Sequence, residues 1–188
     1  MLPAIRDVSR LEPHVAKNVP LFILRCAEKG APVLITETIR TAARQRELCN
    51  AGYSTTPTPS FHSEQAGLAF DVCKNVKGHE YDDPVFWAIV GKVGKEMGFT
   101  WGGDWTKFVD KPHFQWDGHG AVTGAQVRAG LRPPPMPLYK DPIVLLAEEL
   151  TRKGILTATA YWADVMKGTQ PVNLEYLVKL LTNVSKKL

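Results

Sequence analysis

Two short stretches carry the groups best placed to do chemistry. They are Ser60-Phe61-His62-Ser63-Glu64-Gln65-Ala66-Gly67-Leu68-Ala69-Phe70-Asp71 and Asp110-Lys111-Pro112-His113-Phe114-Gln115. Together they offer two imidazoles, His62 and His113, and a carboxylate, Asp71. These can make a three-ligand zinc site that leaves a fourth position open for water. A second carboxylate, Asp110, lies three residues before His113. A carboxylate outside the ligand set can take the proton as that water attacks a carbonyl. The four residues supply the parts that metal-assisted amide hydrolysis requires.

The spacing resembles a known family. The pattern Ser-x-His-x-x-Gly-x-Ala-x-Asp is found here as Ser60-x-His62 followed by Gly67-x-Ala69-x-Asp71, and an acid–x–x–His pattern as Asp110-x-x-His113. The run Trp101-Gly102-Gly103-Asp104-Trp105 fits too, as does Thr38-Ile39-Arg40-Thr41 with Gln45 and Leu48. The chain is similar over residues 10–132 to the VanY-like zinc peptidases, the D-Ala-D-Ala carboxypeptidases and L-alanyl-D-glutamate endopeptidases that cut peptidoglycan stem peptides. The resemblance implies Zn2+ on His62, Asp71 and His113, with Asp110 as base. It also implies that Arg40 faces the cleft, where a guanidinium binds a substrate carboxylate or an oxyanion. Ser60, Gln45 and Asp104 are candidate substrate or supporting contacts. One departure stands out: four residues, not two, separate His62 from Gly67. The extra pair can bulge harmlessly, turn His62 away, or bring Glu64 to the metal.

Since the acid before the last ligand is Asp, the resemblance leans to hydrolysis of the L-Ala–D-Glu bond, as in an endolysin or autolysin. The alternatives are a D-Ala-D-Ala carboxypeptidase and a zinc-retaining, non-catalytic wall-binding module. Cys73 shares a strand face with Asp71 and reads as a neighbour of the site rather than a ligand. His119 is the spare imidazole, and Trp101, Trp105 and Trp116 are candidates to line the cleft.

The elements that must position these groups follow from periodicity. Apolar residues at helical spacing predict a helix over 13–29, in which Pro20 predicts a kink or a late start. Further helices are expected over 42–50 and 84–97. Strands are expected over 32–38, 68–72, 99–101 and 113–116, with a Thr/Pro-rich loop, 52–59, delivering Ser60 and His62. Strands and helices without a βαβ repeat predict an α+β fold with a mainly antiparallel sheet flanked by helices. Residues 1–131 read as the zinc-peptidase domain. Residues 132–142, with five prolines, read as a semi-rigid linker. Residues 143–188 read as three short helices forming a C-terminal appendage for wall targeting or docking.

At 188 residues, 44% hydrophobic and 22% charged, the chain has enough apolar material for one sizeable core. Its net charge of +4 is mild. Residues 1–131 hold 15 basic and 14 acidic groups, and 132–188 hold 8 and 5, so the excess lies mostly in the tail. No concentrated basic stripe points to nucleic acid, and no apolar run is long enough to cross a membrane. The N-terminus lacks the apolar core of a secretory signal. The resemblance makes bacterial peptidoglycan the expected partner, and the chain is expected to be a monomer made in the cytoplasm and acting on the wall after release or non-classical export. Three scattered cysteines give no disulfide framework; Cys26 and Cys49 are expected to be buried thiols.

Overall fold

The computed structural model describes residues 1–140 and the isolated positions 145, 152 and 164. The chain divides into two units, Met1–Leu138 and Tyr139–Leu188. The three helices expected over 143–188 lie outside the described residues. In the first unit the order is α1 (Pro13–Glu28), β1 (Val33–Glu37), α2 (Ala42–Asn50), β2 (Ala69–Lys74), α3 (Pro84–Glu96), β3 (Thr100–Trp101), β4 (His113–Gln115) and α4 (Gly124–Arg128). The strands form one sheet in the order β1-β2-β4-β3, and every pairing is antiparallel. This is the α+β architecture that the mixture of periodicities predicts. Helix α4 was not anticipated, although Thr123 and Gln126 form a reciprocal capping box at its start.

Helix α1 begins where the Glu12 carboxylate accepts from the backbone N–H groups of His14 and Val15, with Pro13 at its first position. It runs through Pro20 without a late start. That proline sits on the exposed side, where water can satisfy the carbonyl it leaves unbonded. The buried stripe Val15, Val19, Phe22 and Cys26 faces the sheet. There Phe22 packs against Phe114 and Phe70, with ring centroids 5.0 and 5.5 Å away.

Alternation along β2 divides the sheet's two faces. Phe70 belongs to this aromatic core, while Asp71 and Cys73 belong to the opposite face. Cys26 and Cys73 are buried and Cys49 is only half-buried; all three are free thiols.

The proline-rich stretch after α4 does not leave the first unit at once. Trp116 Nε1 donates to the Pro134 carbonyl at 2.7 Å, and Asn18 Nδ2 to the Pro137 carbonyl at 3.0 Å. Arg132 donates to the Gln65 and Val127 carbonyls, and Met136 is buried. Residues 132–138 thus form a strap along the first unit, in keeping with the division after Leu138.

Candidate metal centre and cleft

Asp71 on β2 and His113 on β4 are direct cross-strand partners, so their side chains leave the same face of the sheet side by side. His62 arrives from the loop before β2. Its carbonyl accepts from Arg40 N, and the neighbouring Ser63 makes a single parallel bridge to Arg40. His62 Nε2, His113 Nδ1 and Asp71 Oδ1 converge at 3.1–3.2 Å from one another, and all three residues are buried.

The outward atoms settle what these groups present inwards. His62 Nδ1 lies on the Thr38 carbonyl and therefore carries its proton there, which leaves a lone pair on Nε2. His113 Nε2 lies 3.0 Å from Gln115 Oε1. The Gln115 amide nitrogen donates to Asp117 Oδ2, so its oxygen must be the atom facing the imidazole. His113 Nδ1 is then also a lone pair. Asp71 Oδ2 takes an ion-paired hydrogen bond from Arg40 Nη2. Three electron-pair donors facing one another in a buried place repel unless a cation or a proton lies among them.

A zinc ion fits this donor set. Bonds of about 2.0–2.1 Å to tetrahedral ligands put ligand atoms roughly 3.3–3.4 Å apart, close to the spacing found. Outer partners that fix imidazole tautomers are what a metal ligand set requires.

Burial and the neighbouring charges act on these groups in opposite directions. Burial pulls His113 down, but the hydrogen bond and charge of Asp71, with Asp110 behind them, leave its imidazole above its ordinary value. Burial keeps His62 below its own. Burial also works against an ionised Asp71, yet the His62 charge, the hydrogen bonds from both histidines and Arg40 hold it well below the carboxylate range. Asp110 goes the other way. Burial raises it, and the charge of Asp71 adds to that against the pull of His113 and Arg40.

The donors open into a cleft of about 340 Å³ lined by Arg40, Gln45, Ser60, Trp105 and Asp110, among others. The structure thus gathers His62, His113, Asp110, Arg40, Ser60 and Gln45 around one space, with Asp71 at its floor. Asp110 can lie beside His113 because Gly102 has no side chain. A Cβ there would sit 2.4 Å from the Asp110 carbonyl oxygen and 3.2 Å from the Cβ atoms of Asp110 and His113. Asp104 does not line this cleft. It pairs with Lys95 at 2.8 Å and borders a separate shallow depression.

Of the three tryptophans, Trp105 lines the cleft, tilted against His113 at 5.1 Å. Trp101 stacks on Phe114 and Trp116 is buried under the strap. Cys73 and His119 are outside the donor set.

The two-residue insertion closes on itself. Ala66 N and Gly67 N both donate to the Ser63 carbonyl, and Leu68 N donates to the Phe61 carbonyl. Gly67 takes a positive φ of 59°, and any Cβ there would meet Glu12 N at 2.7 Å. His62 keeps its place, and Glu64 points to Arg10 at the surface, 3.4 Å away. Reading the sequence alone did not single out Gln115, Glu37, Tyr53 or Phe108. Gln115 stands two residues past His113 on the same strand face, and that register was the available signal.

Comparison with known proteins gives a consistent set of relatives. A family model described as D-alanyl-D-alanine carboxypeptidase matches residues 54–116. The chain is 40% identical over 126 residues to the L-alanyl-D-glutamate peptidase of Listeria phage A118, covering 64% of this chain and 43% of that one. It is 33% identical over 133 residues to the peptidoglycan L-alanyl-D-glutamate endopeptidase CwlK of Bacillus subtilis strain 168, covering 60% and 78%. The chain therefore spans less than half of the phage relative's length and over three quarters of CwlK. Among solved structures, the Serratia marcescens L-Ala D-Glu endopeptidase ChiX aligns at 28% identity, TM-score 0.44, over 61% of this chain and 86% of that one. The vancomycin-resistance D,D-pentapeptidase VanY, in complex with Zn(II), aligns at 17% identity, TM-score 0.46, over 64% and 80%.

Proposed function

The chain belongs to the family of D-alanyl-D-alanine carboxypeptidases and L-alanyl-D-glutamate endopeptidases, and from that premise we propose that it hydrolyses the L-Ala–D-Glu bond of peptidoglycan stem peptides. The observation that carries the reading is the convergence of three buried, tautomer-fixed donors beside a carboxylate, Asp110, in one cleft. His62, Asp71 and His113 would hold zinc. When bound, that ion supplies Lewis acidity, polarising the scissile carbonyl and making a water acidic enough to attack at neutral pH.

The remaining roles belong to the chain's own residues. Asp110 accepts the proton of the attacking water on its carboxylate and returns it to the leaving amine. Burial lifts this group towards neutrality, as suits a base that must also give the proton back. Arg40 is fixed by Asp71 and Glu37 and has N–H groups left for a developing oxyanion or a substrate carboxylate. Trp105 holds the His113 ring in place and restricts water at that edge. Gln45 serves the cleft indirectly, by donating to Ser54 Oγ and the Thr56 carbonyl in the loop that forms its wall. The substrate places this chemistry at the bacterial wall. Residues 143–188 are proposed as the wall-targeting or docking part, and the first unit with its strap as the part that cuts.

Digestion of purified peptidoglycan, with and without a chelator, tests the reading. New D-Glu amino termini that vanish with chelator and return with zinc are expected. Released D-Ala instead would make the chain a D,D-carboxypeptidase, the activity after which the matching family model is described. Wall binding with no cleavage by zinc-loaded protein would make it a binding module.

A further inference from the structure

Glu37 lies outside the donor set, yet it is buried and directly opposite Asp71 across the β1–β2 ladder. A bulge between Ile35 and Glu37 produces that register. Two like charges placed opposite each other on one sheet face destabilise it unless something intervenes. Arg40 intervenes: its Nε donates to Glu37 Oε2 at 2.6 Å and its Nη2 to Asp71 Oδ2. The other oxygen of Glu37 takes Arg44 Nε at 3.0 Å. Two half-buried guanidinium groups and two buried carboxylates thus alternate in a row, neutral as a whole. Buried ion pairs are often no more stable than apolar groups of the same volume, so stability alone does not account for the row. Its far end does more than pair charges. Arg40 Nη1 reaches Gln45 Oε1 at 3.4 Å, and Gln45 Nε2 holds Ser54 Oγ at 2.6 Å and the Thr56 carbonyl at 2.9 Å.

We infer that Glu37 is a positioning residue for both the metal and the substrate wall. Its charge offsets that of Arg40, so Asp71 keeps its own for the cation. Its carboxylate also holds the Arg40 fork in the one orientation that meets Asp71 and Gln45 together. This builds on the proposed metallopeptidase reading, but its first readout needs no turnover.

The experiment measures zinc affinity by competition with a chromogenic chelator, then kcat and KM on a stem peptide at saturating zinc. Glu37→Gln keeps the shape and removes the charge. Its zinc dissociation constant should rise by roughly 10–100-fold, the usual effect of losing an outer partner, and its KM should rise as the wall loosens. Glu37→Asp keeps the charge but cannot reach both guanidinium groups. Its zinc affinity should stay near that of the wild type while KM rises. A purely structural role would lower the melting temperature and leave the zinc constant and KM of the folded protein unchanged. Wild-type zinc affinity and KM in Glu37→Gln would overturn the inference. If that variant does not fold, wild-type KM in Glu37→Asp overturns it. Should no stem peptide be cut by any form, the zinc constants of Glu37→Gln and Glu37→Asp still decide the charge role on their own.

Discussion

The floor and the rim of the cleft are built by different means. The floor is mostly sheet: Asp71 and His113 are cross-strand neighbours, both buried, and His62, from the loop before β2, is tied down by Arg40 N and the Thr38 carbonyl, so that each donor's outer atom is held by a fixed partner. The rim is loop. Tyr53 is 71% exposed and Phe108 45% exposed, and hydroxyl side chains from Ser54 to Ser60 line the wall between them and the donors. Geometry that must hold to a few tenths of an ångström sits on paired backbone, and surfaces that can adapt sit on loops. Damage to the floor should therefore abolish the reaction, and damage to the rim should only weaken substrate binding.

The largest effect expected is at the floor. His113→Ala removes one of three donors and leaves Asp71 and His62 without their shared partner. Tight zinc should be lost, and hydrolysis with it, to the level of a chelator-treated sample. Elemental analysis together with a stem-peptide assay checks this. A His113→Ala protein that binds zinc as tightly as the parent would move the metal site elsewhere.

Next comes Asp110→Asn, nearly isosteric and outside the donor set. Zinc content should be unchanged. Activity should fall about 10²–10⁴-fold through kcat, the range for a lost general base, since the amide cannot take a proton from water. A loss that fell on KM with kcat intact would make Asp110 part of the binding rim instead.

How much of this was legible beforehand depended on whether a signal was local. The three candidate donors were legible because each sits in a linear pattern, and the strands carrying Asp71 and His113 were expected close to where they lie. Glu37 was not: it looks like an ordinary polar residue in a short strand, and its place exists only through cross-strand register with Asp71, 34 residues away. Gln115 was missed although its partners, His113 and Asp117, lie two residues to either side of it. Asp104 was placed with the site because it sits in a matching run, yet a short 3-10 turn over Gly102–Asp104 carries it towards Lys95. The prolines after Arg132 announced a stiff segment. They could not announce that two of its carbonyls meet Trp116 and Asn18, because a carbonyl acceptor leaves no mark in sequence.

The strap gives the third prediction. Ending the chain after Leu131 removes buried Met136 and the acceptors for Trp116 and Asn18, whereas ending it after Leu138 keeps them. Burying a Met side chain is worth about 1.5–3 kcal/mol, so the shorter form should melt roughly 5–10 °C lower. The longer form should cut soluble stem peptide like the full chain and sediment less with cell walls. Unfolding of the longer form would mean that residues 139–188 belong to the same core.

At the rim, Tyr53→Ala and Phe108→Ala should each raise KM several-fold, with kcat and zinc content close to the parent's, because both side chains are exposed and outside the donor set. A fall in kcat equal to the fall in kcat/KM would show that the rim reaches the transition state, and the contrast with the floor would fail.

The smallest effect is expected from the two-residue insertion, the feature with most potential to disturb the floor. Glu64 lies in that insertion but makes its ion pair with Arg10 at the surface, where both side chains are exposed. Exposed pairs of this kind contribute about 0–1 kcal/mol. The turn itself is held by backbone bonds to the Ser63 and Phe61 carbonyls, and these do not involve the Glu64 carboxylate. Glu64→Ala should therefore leave zinc affinity, kcat and KM unchanged and lower the melting temperature by a few degrees at most. Calorimetry and the chelator competition measure both sides of that statement. A Glu64→Ala protein that lost zinc affinity would mean the carboxylate swings to the metal in solution. The floor would then include a ligand from an exposed turn as well as the buried His62, and the division between fixed and adaptable parts would no longer coincide with the division between chemistry and recognition.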